Sequence, residues 1–220
     1  MKKIVSTFLI VFAMITVNAQ TVRIGLAGAF NSTWLFNKNV SDAGSDLDYK
    51  STFGGQFGIS GVFIAANGPG VSLEILSSSV NQKYNWKFDS VAYESETKLK
   101  TIAIPLLFRY TSKQGFYFEI GPEFSFITGA KAVISGTTNE IKKDKLNSLS
   151  TAAVLGFGWD IKAGNHFVIS PGLRFAWGLG DVFKKPTDGK DVYFNSKTYS
   201  PTNTAVGGFH LGITYKIAGN

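Results

Sequence analysis

Phe116-Tyr117-Phe118-Glu119-Ile120-Gly121-Pro122-Glu123-Phe124-Ser125-Phe126 decides the fold. Phe116, Phe118, Ile120, Phe124 and Phe126 take alternate positions, with Tyr117, Glu119, Gly121, Glu123 and Ser125 between them. Side chains switch sides at every residue of a strand, whereas a helix repeats every 3.6 residues. The stretch is therefore a strand with one strongly apolar face and one small or polar face.

The same alternation recurs on both sides of it. Before it come Val22-Ile24-Leu26-Phe30, Phe53-Phe57-Ile59-Phe63, Val71-Leu73-Ile75 and Ile102-Ile104-Leu106-Phe108-Tyr110. After it come Leu155-Phe157-Trp159-Ile161, Phe167-Ile169-Leu173-Phe175-Trp177 and Phe209-Leu211-Ile213-Tyr215. Residues 66–70, 111–115 and 163–165 are short connections carrying turn residues. Residues 34–51, 81–98, 129–149 and 181–202 are long and polar. Short turns alternating with long loops predict an all-β fold, an eight-stranded antiparallel up-and-down transmembrane β-barrel. Pro105, Pro122 and Pro171 fall inside strands, where each removes a ladder donor, so bulges or register shifts are expected nearby.

The sign of the alternation separates a membrane barrel from a soluble one. A soluble barrel needs a charged exterior, whereas a membrane barrel turns its apolar face to lipid. Here the face opposite the apolar one is mostly Gly, Ser, Ala and Thr, which suits a narrow interior. That face also carries Glu74, Glu119, Glu123 and Asp160, together with all three arginines of the chain, Arg23, Arg109 and Arg174. An ionised side chain on the lipid face costs about 2–4 kcal/mol near the midplane, which explains its exclusion. The seven charges are expected to form an ion network filling the lumen. In that network Glu123→Ala would cost about 3–5 kcal/mol by orphaning a partner. An ion or proton path is the alternative use of the same residues.

Composition and termini set further bounds. Charged residues are 17% of the chain against roughly 25% in a typical soluble domain. Cysteine is absent, which excludes disulfides, thiolate metal sites and a cysteine nucleophile. Lys2 and Lys3 precede an apolar run, Ile4 to Val17, that ends at Val17-Asn18-Ala19. This reads as a signal peptide, residues 1–19, cleaved before a barrel domain of residues 20–220. The formal net charge is +7, part of it from Lys2 and Lys3, and no basic cluster stands out, so nucleic acid is not an expected partner.

Three strands carry a family resemblance. Ile102-Ala103-Ile104-Pro105-Leu106-Leu107-Phe108-Arg109-Tyr110 resembles the fourth strand of the PorT-like outer-membrane β-barrel proteins. Leu173-Arg174-Phe175 followed by Gly178-Leu179 is similar to their seventh strand, and Leu211-Gly212-Ile213-Thr214-Tyr215-Lys216 to their last. The resemblance implies a small barrel in the outer membrane of a Gram-negative cell. The founding member's link to protein secretion makes a secretion-system component one implied role.

Catalytic and cofactor signals are weak. His166 and His210 have no nearby cysteine or carboxylate cluster in sequence, and both fall away from the outer rim where an envelope hydrolase would need them. No cofactor or metal is expected. The favoured reading is a non-enzymatic barrel acting through its loops, with a narrow channel or transporter as the alternative. Its partners would be outer-membrane lipids, the barrel-assembly machinery during insertion, and an extracellular or envelope protein. Tyr84, Trp86, Phe88 and Tyr93 in one loop, and Tyr193, Phe194 and Tyr199 in another, are the expected interaction aromatics. Asp89-Ser90-Val91 resembles an Asp-Ser/Thr-aliphatic O-glycosylation acceptor of some Gram-negative lineages, with Ser90 as the modified residue.

Overall fold

The structure is a computed structural model and describes residues 19–88, 91–134, 137–190, 194 and 198–218. Asp89, Ser90, Tyr193 and the segment read as a signal peptide up to residue 18 lie outside the described residues.

The strands are β1 (Ala19–Asn37), β2 (Leu47–Lys50), β3 (Phe53–Ala65), β4 (Pro69–Phe88), β5 (Val91–Thr111) and β6 (Phe116–Ile134). They continue with β7 (Thr137–Ile141), β8 (Leu149–Trp159), β9 (Ile161–Ala163), β10 (Phe167–Gly178) and β11 (Thr202–Ala218). Eight of them form an antiparallel ring in the order β1, β3, β4, β5, β6, β8, β10, β11, which closes where β11 pairs with β1. β9 extends β8 past Asp160 along β10, while β2 and β7 add to β4 and β6 at the long-loop end. One short helix, α1 (Lys38–Asp42), follows β1 and is capped by the Asn37 side chain, which accepts from Asn39 N. At the other end the tight turns contain Gly68, Gly115 and Gly164 at positive φ, where a β-carbon would be strained.

The alternating apolar residues point outward. Phe30 and Phe57 are each 64% exposed, and Ile24, Leu26, Ile120, Phe175 and Ile213 lie on the same outer face. Aromatic pairs gather toward both ends: Phe116 with Trp159 and Phe167 with Tyr215 below, Trp34 with Phe36 and Phe36 with Trp177 above. Such girdles mark the two interfaces of a membrane barrel.

Two expectations need correction. Residues 81–88, 91–98, 129–134 and 137–141 are not loops but continuations of the barrel wall. β4 and β5 stay paired to Phe88 and Val91, and β6 runs to Ile134 with β7 beside it. β4, β5 and β6 are 20, 21 and 19 residues long, against 11 and 12 for β8 and β10, so one side of the barrel stands high above the other. The prolines cause no register shift. Pairing continues in register through Pro122–Ala153 and Pro171–Leu211. Beside Pro105 the β4–β5 ladder skips Glu74 and Ile75 and then resumes unchanged. Register shifts lie elsewhere: at Ala19/Thr21 and Val22/Arg23 near the start of β1, and between Lys100 and Thr101 on the β5–β6 ladder, where Thr128 Oγ1 donates to the Lys100 carbonyl at 3.0 Å.

Candidate functional site

The lumen is built in layers. Nearest the tight turns is a continuous chain of alternating charge. Arg23 Nη2 donates to Asp160 Oδ2 at 2.8 Å, and Arg109 Nη2 to Asp160 Oδ1 at 2.6 Å. Arg109 Nη1 reaches Glu119 Oε1 at 2.7 Å, and Arg174 Nη2 reaches Glu119 Oε2 at 2.8 Å. Arg174 also grips Glu74 with both terminal nitrogens, at 2.6 and 3.2 Å. Planar guanidinium groups can bridge carboxylates in this way while staying charged when poorly hydrated. Ser72 donates to Glu119 and Ser170 to Asp160, so spare carboxylate lone pairs are also used. The Arg109 guanidinium lies 3.7 Å above the Tyr117 ring centroid. That ring fits because Gly158 and Gly172 face it, and a side chain at either would strike the phenol oxygen.

The structure therefore brings together Arg23, Glu74, Arg109, Glu119, Asp160 and Arg174. Glu123 is the exception. It is buried in the lumen, yet among the described residues no cation forms a salt bridge with it, and it accepts from the Ser125 hydroxyl at 3.0 Å. Parity along β6 places it in the lumen but does not set its height relative to the arginines. His210 lies at the end of the chain instead, with Nε2 3.3 Å from Glu74 Oε1. Its position on the inward face of β11 was readable, but its neighbour was not.

Above this layer Glu123 borders a cavity of about 20 Å³, with Gln56, Ser78, Thr101, Ser150 and Thr204 around it. That volume holds about one water. Above the cavity sits an apolar plug. Leu146, Val182 and Phe183 come in from the connections and pack on Leu35, Val80 and Leu99 of the wall. Asp181 ties the plug down, accepting from Thr202 N at 2.9 Å, Phe183 N at 3.1 Å and Tyr199 Oη at 2.6 Å.

The aromatics expected on exposed loops behave differently from one another. Tyr84 is 2% exposed and packs with Val40 and Leu47, so it is core rather than docking surface. Burial, with Tyr49 nearby, pushes its phenol pKa well above the ordinary value. Trp86 and Phe194 pack partly against the same cluster, and Tyr199 is engaged by Asp181 and the Phe183 carbonyl. Phe88 pairs with Val91 near the hairpin tip. Tyr93 is exposed. Tyr49, missed in the sequence, joins the cluster with its ring tilted 44° to that of Tyr84 and its hydroxyl accepting from Asn37 N at 2.8 Å. On the outer surface of the wall, Lys50 donates to Glu94 at 2.6 Å, and this lowers the Glu94 pKa. The reason the segment was read as loop is physical. Above the membrane neither face of a strand must be apolar, so alternation fades.

The sequence pattern of one family, described as outer membrane protein beta-barrel domain, matches residues 18–184. Solved structures similar to the chain include Neisserial surface protein A, at 12% identity over 89% of this chain and 97% of that one, TM-score 0.44. They also include Ail of Yersinia pestis, at 15% identity over 89% and 98%, TM-score 0.39. OprG from Pseudomonas aeruginosa is similar at 13% identity over 90% and 95%, TM-score 0.42. No curated protein matches the chain in sequence.

Proposed function

Because the chain belongs to the outer membrane protein beta-barrel domain family and lies in the outer membrane of a Gram-negative cell, we propose that it is a non-conducting, non-enzymatic barrel that works through its extracellular wall. The observation carrying this is the double filling of the lumen. An ion chain lies below and an apolar plug above, with space for about one water between them. Eight strands enclose an interior just wide enough for side chains to fill, so this is the economical use of the fold. The wall of β4, β5 and β6 then remains as the structured surface that a partner can reach.

Two further points support a non-catalytic role. His210 is buried in the lumen 3.3 Å from Glu74, away from any hydroxyl nucleophile at the outer rim, and His166 stacks on Tyr215 at the tight-turn end, with ring centroids 5.3 Å apart. The likeness of Ile102–Tyr110 and Leu211–Lys216 to PorT-like strands favours that branch of the barrels, in which a secretion-linked partner is a natural candidate. Lipids of the outer membrane and the assembly machinery are the remaining partners.

Planar-bilayer recording of the purified barrel tests the sealed lumen. Silent membranes are expected. Reproducible single-channel steps from the unmodified protein would overturn the proposal in favour of a narrow channel. Crosslinking through the wall on intact cells should then retain an envelope or extracellular protein. Its loss on removal of residues 83–96 would place the contact on the wall.

A further inference from the structure

The inner side of the tall wall, above the plug, encloses a cavity of about 350 Å³. Small-ligand sites occupy roughly 300–1,000 Å³. Five aromatic side chains border it: Tyr84 and Phe183, each 2% exposed, close its floor, and Trp86, Tyr93 and Phe194 form the accessible sides. Its charged lining residues are Glu94 and Glu96, and no lysine or arginine lines it.

The rings are set before any ligand arrives. Trp86 Nε1 donates to Ser95 Oγ at 2.6 Å, which fixes the indole plane. Tyr84 and Phe194 meet at 66° with centroids 5.4 Å apart, forming a corner of two ring planes. Tyr93 is the register partner of Trp86 across β4 and β5 and is 45% exposed, so the cavity opens on its side. Glu94 and Glu96 border the cavity from the opposite face of β5, where their carboxylates are paired with Lys50 and Lys98. An anion inside would meet the negative faces of the rings, and a compact organic cation is attracted by them. A strongly hydrated metal ion is poorly served, since the neutral oxygens in the lining are few and ring faces do not replace a hydration shell.

We propose that this cavity is an aromatic cage for a methylated ammonium group, of the kind borne by choline. The proposal rests on the reading of the wall as the working surface and names the chemistry that surface selects. Glu94 and Glu96 already pair outward with Lys50 at 2.6 Å and Lys98 at 3.2 Å. The ring faces, with no lysine or arginine among the lining residues, therefore supply the selectivity for a cation.

The test uses the full barrel in detergent micelles, choline as probe, and 3,3-dimethylbutanol as its uncharged isostere. The readout is the indole N–H resonance of Trp86, identified with Trp86→Phe, at constant ionic strength held by sodium chloride. Choline should shift this resonance saturably and leave those of Trp34, Trp159 and Trp177 in place. The isostere should bind about tenfold more weakly, which is the scale of a partly desolvated cation–π contact. Tyr93→Leu, at an exposed position, should abolish the response without changing the barrel's heat-modified gel migration. Equal affinity for choline and the isostere would overturn the proposal, as would the absence of any saturable shift. Either result leaves the crosslinking outcome intact, so failure of the cage and failure of the wall as a docking surface can be told apart.

Discussion

Glu119→Ala is the substitution that most directly probes the lumen. Glu119 is 1% exposed and accepts from Arg109 at 2.7 Å, Arg174 at 2.8 Å and Ser72 at 2.9 Å. Alanine removes all three bonds and leaves three guanidinium groups facing two carboxylates. Arg109 keeps Asp160 and Arg174 keeps Glu74, so neither cation is wholly orphaned. Breaking a buried pair on one side costs about 3–5 kcal/mol, and the retained partners place this case within that range. With urea slopes of about 1–3 kcal/mol per molar, the unfolding midpoint should fall by about 2 M. Glu123→Ala is the internal control. It removes a carboxylate with no cationic partner among the described residues, together with the Ser125 bond. Its cost should stay near 1 kcal/mol, well below the 3–5 kcal/mol that the sequence pattern suggested. The assay is urea unfolding of the barrel in lipid vesicles, followed by tryptophan fluorescence and by heat-modified gel migration. If both variants lose the same stability, the charge chain is not what holds the lumen, and the reasoning fails.

Three other outcomes are expected. Asp181→Ala removes three anchors of the plug and should make residues 182–202 markedly more sensitive to added protease on intact cells; unchanged sensitivity would show that apolar packing alone seats Val182 and Phe183. The raised pKa of Tyr84 means that its contribution is complete below the unfolded phenol value, about 10, and is lost as pH rises through the folded value, so alkaline opening of the wall should move upward in Tyr84→Phe and not stay where it is in the unmodified protein. The chain lacks cysteine, so Lys143→Cys should react with an impermeant maleimide on intact cells and Lys113→Cys only after permeabilisation; the reverse pattern would invert the barrel.

How far the sequence reached depended on the solvent around each residue. From Phe116 to Phe126, lipid on one side and a crowded lumen on the other force strict alternation, so strand and face could both be read. At residues 82–88 and 91–98 water lies outside, and a mix of polar and aromatic groups packs inside. Gln82, which is fully buried, donates to the Lys50 and Lys83 carbonyls, and nothing in its neighbours' hydropathy announces this. Val182 and Phe183 are two apolar residues in a polar stretch, too few to show a period, yet they plug the barrel. In the lumen, residue parity put seven charges on one face. Pairing also depends on the stagger between strands, and stagger leaves no trace in a single strand's pattern. That is why Glu123 was grouped with the arginines and His210 was not.

The ion chain also bears on how the barrel is assembled. Each strand of the ring lends it a group: Arg23 from β1, Ser60 from β3, Glu74 from β4, Arg109 from β5, Glu119 from β6, Asp160 just after β8, Arg174 from β10 and His210 from β11. Arg23, on the first strand, meets Asp160 only after most of the sheet has curled round. An open sheet in the bilayer would thus hold unmatched charge in a medium that penalises it by several kcal/mol. Partial barrels have no comfortable resting place on the way in. Closure then matches the first strand by charge to the segment after β8, and a barrel missing one hairpin should be rejected rather than stored.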